Sequence, residues 1–88
     1  MTREKALSLA REFANNPQGV KFASLAKVCN YFFGNARNKS TSHHVYQTPW
    51  IGDPRVNIQN SKGYAKAYQV KQVIKAIEKM EEQNESSK

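Results

Sequence analysis

Two short segments of alternating pattern, joined by a turn rich in proline, set the tightest limit on what this chain can fold into. In Arg55-Val56-Asn57-Ile58-Gln59, two apolar residues alternate with three polar ones, and His43 to Thr48 is a similar run of strand-forming residues. A period of two is the signature of a half-buried strand. Between them, Pro49-Trp50-Ile51-Gly52-Asp53-Pro54 carries the residues of a turn. The two segments should therefore pair as an antiparallel hairpin, with one face wet and the other covered by helices.

The flanking sequence supplies those helices. Arg3 to Ala14 places Ala6, Leu9, Ala10 and Phe13 on one stripe, with Thr2 as the cap and Asn15-Asn16-Pro17 as the stop. Phe22 to Phe33 gathers Phe22, Leu25, Val28, Cys29 and Phe32, and Gly34 ends it. Asn35 to Thr41 reads as a loop or short edge strand, and Asn60-Ser61-Lys62-Gly63 as a further turn. A last helix, Ala65 to Glu81, lines Ala67, Val70, Val73, Ile74, Ile77 and Met80 on its buried side. Lys71, Lys75 and Lys79 fall four apart on another stripe, which is either a track for phosphates or an ordinary solvated face. Residues 81–88 read as a flexible tail.

Eighty-eight residues make one domain, residues 1–88, with a modest core and only a shallow site. From Pro17 to Ile77 nine Lys and Arg face a single acid, Asp53, which leaves +8 on the middle of the chain. A field of that sign attracts polyanions, nucleic acid first among them. No apolar run approaches the ~20 residues of a membrane span and no signal-peptide pattern opens the chain, so a cytoplasmic protein is expected. Cys29 is alone and lacks zinc-site spacing with the two histidines, so it reads as a packed small hydrophobe and no metal or cofactor is expected.

Both histidines lie on the first strand. His43 and Val45 share one face, His44 and Tyr46 the other, so one imidazole can pack while its neighbour meets solvent. The plain reading is a polar strand with no chemistry. The functional reading is RNA cleavage: RNA carries its own nucleophile in the 2′-hydroxyl, and a protein need add only a proton-transfer group and positive charge. Histidine titrates near neutrality and suits the first task. Arg37, Lys39 and Arg55 suit the second. Tyr31, Phe32 and Phe33 could stack on bases, but at helical spacing they read as core.

The run Thr41-Ser42-His43-His44-Val45-Tyr46, then Arg55-Val56-Asn57-Ile58, a turn with Lys62, and Tyr68-Gln69-Val70-Lys71-Gln72-Val73-Ile74-Lys75-Ala76-Ile77 resembles the HicA family of toxin ribonucleases. The resemblance covers residues 22–80 and leaves 1–21 as an added N-terminal helix. It implies a fold similar to the double-stranded-RNA-binding domain, an α+β unit with a three-stranded antiparallel sheet and helices on one face. It also implies metal-independent cleavage of mRNA, inhibited translation, and a HicB-like antitoxin as partner. The family's catalytic histidine corresponds to His43, with His44 second. Thr41 stands where the family has Gly, which changes the loop's backbone freedom. With Arg37, Lys39, Ser42 and Arg55, the residues Lys62, Lys66 and Lys71 make up the expected RNA-binding set.

Two other readings compete. A non-catalytic RNA-binding domain would use the same cations without His43. A DNA-binding module would insert the last helix in a groove with Gln69 and Gln72 as base readers. Trp50 is a candidate anchor for a partner, or else a lid on the core.

Overall fold

The computed structural model describes residues 1–36, 38–39, 43–48 and 55–86, and at 38–39 and 83–86 the backbone alone. Its elements run α1 (Arg3–Asn15), α2 (Phe22–Phe33), β1 (Asn38–Lys39), β2 (His43–Gln47), β3 (Arg55–Ser61), β4 (Tyr64–Ala65) and α3 (Ala67–Ser86). The strands form one antiparallel sheet in the order β1-β2-β3-β4. Three of them were expected. The fourth is a two-residue edge that arises because the Lys62-Gly63 turn is tight enough to fold the chain straight back.

Both residues of that turn have positive φ, 55° at Lys62 and 91° at Gly63, the backbone geometry that suits a two-residue hairpin to the twist of its strands. The Asn60 side-chain oxygen accepts from the Gly63 N–H at 2.6 Å and fixes it. Tyr64 then bridges Lys21, the Ala65 N–H donates to Val20 O at 2.8 Å, and the Phe22 N–H donates to Gly63 O at 3.0 Å. The chain entering α2 is thereby stitched to the sheet's edge. This corrects the expected start of the last helix, because Ala65 is committed to Val20 and α3 begins two residues later. At its other end α3 runs to Ser86, through residues expected to be a loose tail. Glu81, Glu82 and Gln83 are good helix formers with no breaker among them, and Glu81 is held by an ion pair with Arg3.

Helix α1 begins where Thr2 accepts from the Lys5 N–H at 3.2 Å and ends at Asn15, before the proline. It packs on α2 and α3. Ala10, Phe13 and Val20 join the same apolar cluster as Leu25, Val28, Cys29, Tyr46, Ile58, Val70 and Val73. Through Ala6, Ala10, Phe13 and Val20, residues 1–21 contribute to the buried interior. Burying a side chain such as Leu25 or Ile58, each fully enclosed, contributes about 1.5–3 kcal/mol.

The sheet has two unlike sides. His44, Tyr46, Val56 and Ile58 are buried beneath α2 and α3, whereas His43, Gln47, Arg55 and Asn57 are exposed and Val45 and Gln59 half-buried. The helices cover one face and leave the other open. Among the described residues, no helix is long and apolar enough to cross a membrane.

Candidate nucleic-acid interface

Strand parity separates the two histidines. His43 stands on the open face with Gln59 as its cross-strand partner, and His44 stands on the core face opposite Ile58. His44 is 8% exposed. Its ring meets Phe22 edge-on with centroids 4.9 Å apart, and its Nδ1 shares a 3.2 Å hydrogen bond with the Tyr46 hydroxyl. An imidazole held that way cannot reach a phosphate on the far side of the sheet. His44, ranked second as the catalytic histidine, is thus placed away from the open face, because a residue one position along a strand is on the opposite surface.

The same register fixes the cations. Arg55 shares the open face with His43 but pairs with Gln47, four residues along β2 from His43. At about 3.4 Å per residue that is roughly 14 Å between backbone positions. Arg55 also lines a groove of about 450 Å³ with Thr48, Asn57, Gln72, Lys75 and Lys79. No lining residue of that groove is acidic, so its three cations make a field that suits phosphate oxygens.

The fold places the other cations as follows. Lys62 is exposed at the tip of the β3–β4 turn, in a left-handed conformation that Asn or Gly normally occupies. Lys21, exposed, is placed opposite Tyr64 by the bridge. Lys66 is half-buried just before α3, where its carbonyl accepts from the Gln69 and Val70 N–H groups at 3.0 Å. Lys71 is exposed on α3, one helical turn before Lys75 and outside the groove's lining. The register sets Lys39 across from His44, and its side chain lies outside the described residues. Arg37, Ser42, Thr41, Trp50 and the turn at 49–54 lie outside them as well.

Lys21 and Tyr64 were not among the expected site residues, and Lys75 and Lys79 were seen only as part of a lysine stripe that either tracks phosphates or faces solvent. Asn60-Ser61-Lys62-Gly63 was visible as a turn, and a Gly at its fourth position followed by Tyr-Ala was the available sign of a hairpin. Nothing local signals that Val20-Lys21 lies against it.

The buried groups support the packing reading of the core. Cys29 is fully buried, and burial pushes its thiol well above the usual range, as expected of an inert packed cysteine. Burial also raises the Tyr46 phenol, with Cys29 a lesser contributor, so the phenol stays protonated as a partner for His44. Gln69 is 5% exposed, and among the described residues its Oε1 has no hydrogen-bond partner. It cannot read bases, which removes one of the two readers from the DNA-groove alternative. Among the described residues, no three His, Cys, Asp or Glu side chains gather into a metal site.

No protein-family model matches the sequence, and no curated protein or solved structure matches it either.

Proposed function

We propose that this chain is an endoribonuclease that cleaves mRNA without a metal, with His43 as its proton-transfer residue, acting in the cytoplasm as the toxin of a HicA-type toxin–antitoxin pair. The observation that supports this most is the position of His43: an imidazole on an open sheet face that carries no acidic side chain among the described residues, in a chain whose middle carries +8. Its resemblance to HicA toxins over residues 22–80, which implies a fold similar to the double-stranded-RNA-binding domain, points the same way. In the reaction the 2′-hydroxyl of one nucleotide attacks the adjacent phosphorus. The imidazole takes that proton or delivers one to the departing 5′-oxygen, and the products are a cyclic phosphate and a free 5′-hydroxyl. Cations at the sheet's ends hold the backbone and offset charge on the phosphorane.

The partner implied is a HicB-like antitoxin. An acidic surface laid on the open sheet would mask the basic field and block His43 together. The test is to incubate wild type and His43→Ala with mRNA in the presence of a chelator and to express both in a bacterium. Wild type is expected to cut the RNA and stop growth, while His43→Ala binds RNA and does neither. Equal cleavage by the two proteins would overturn the assignment of His43, and RNA binding without cleavage by wild type would leave a binding domain.

A further inference from the structure

The open face also carries an aromatic ring that nothing above uses. Tyr64 is 48% exposed. Ser61 is its cross-strand partner, and Ser61 lies on the same side of β3 as Gln59, Asn57 and Arg55. Tyr64 therefore shares the open face with His43. Between them stand the Gln59 and Ser61 side chains, and beside Tyr64 stand Lys21, its bridge partner, and Lys62 in the turn. Two strand spacings across and two residues along put the Cα atoms of Tyr64 and His43 roughly 12 Å apart. Among the described residues, no other ring stacks on Tyr64 and no side chain bonds its hydroxyl.

We propose that this face is a platform for single-stranded RNA, with Tyr64 stacking on a base one or two nucleotides from the bond beside His43. The inference rests on the ribonuclease reading of the same face and names the form of substrate it takes. A large ring left half in water on a polar sheet finds its natural partner in the flat face of a base. The amides of Asn57 and Gln59 can meet the base edges that an unpaired strand exposes. Lys21 and Lys62 flank the ring as phosphate partners, which is the interleaving of aromatic and basic groups that single-strand grooves use. A duplex would hide those base faces and leave Tyr64 with nothing to stack on. Lys62 fits the same account, since it keeps a cation in a turn position where Asn or Gly would sit with less strain.

The experiment uses full-length His43→Ala, which leaves the RNA intact, and a fluorescent single-stranded RNA of about ten nucleotides, within the span such sites cover. Anisotropy titrations compare it with the same sequence as a duplex, in the Tyr64→Phe, Tyr64→Leu and Tyr64→Ala backgrounds. Phe is expected to hold single-strand affinity and Ala to lose roughly 5- to 100-fold. Leu, which keeps bulk without the π face, should behave like Ala, and the dependence on salt should stay unchanged because no phosphate contact is removed. Equal binding by all variants, or a preference for the duplex, overturns the platform even if wild type cleaves RNA. Tyr64-dependent single-strand binding by a wild type that does not cut RNA supports the platform and sinks the ribonuclease reading instead.

Discussion

The two sides of the β2–β3 hairpin are built from the same ten residues and have opposite chemistry. On the core side, His44 and Tyr46 spend their polar atoms on each other and their rings on Phe22 and Phe33. On the open side, His43, Gln47, Arg55 and Asn57 meet solvent, Arg55 and Asn57 along a groove that Gln72, Lys75 and Lys79 of α3 also line. The lesson is that residue type does not assign a role. Two adjacent histidines differ by one step in a period of two, and that step separates a packed ring from one that meets solvent.

The largest expected effect tests that contrast directly. His43→Ala should lower cleavage about 10²- to 10⁴-fold, while its unfolding free energy in urea moves by no more than about 0.5 kcal/mol. His44→Ala should do the reverse. It leaves a void against Phe22 and strips Tyr46 of its partner, so a loss of about 2–3 kcal/mol in unfolding free energy is expected, with activity per folded molecule within a few-fold of wild type. If His44→Ala proved silent in denaturation and fatal to cleavage, the two faces would have been assigned the wrong way round.

A smaller effect separates the two ends of the open face. Arg55→Gln should weaken RNA binding several-fold and reduce the slope of log affinity against log salt by about one, the mark of a single lost phosphate contact. The residual cleavage rate at saturating RNA should change little, because roughly 14 Å of strand separates the backbone of Arg55 from that of His43. A fall in that rate as deep as that of His43→Ala would place Arg55 at the reacting phosphate after all. The smallest effect is at the turn: Lys62→Asn relieves a left-handed lysine and should add up to about 1 kcal/mol to stability while weakening RNA binding. A variant that gains stability without losing affinity would make Lys62 a bystander.

Much of the fold was written in local pattern. Thr2, Pro17 and Gly34 marked helix ends that the structure keeps, and the alternation at Val56 and Ile58 fixed which side of β3 packs. The last helix was misplaced at both ends for different reasons. Its start depended on Val20, forty-five residues upstream of Ala65, accepting a hydrogen bond. That partner is not visible from a local window. At its other end the helix runs on past Glu81 because Glu82 and Gln83 are good helix formers with no breaker among them, a local signal that the reading of a loose tail passed over.

The candidate site divides in the same way. A strand's two-residue repeat and an excess of cations over one acid are local and additive quantities, so the chain's letters alone determined that one histidine would be buried, the other open, and the surroundings basic. Which of the two faced outward was a matter of packing, decided when Tyr46 and Ile58 docked under α2 and α3. The company each cation keeps was decided there too: Arg55 with Lys75 and Lys79 in a groove, Lys21 beside Tyr64 at the opposite corner. Those groupings come from strand register and helix docking, which join residues far apart in sequence through contacts that no short-range preference encodes.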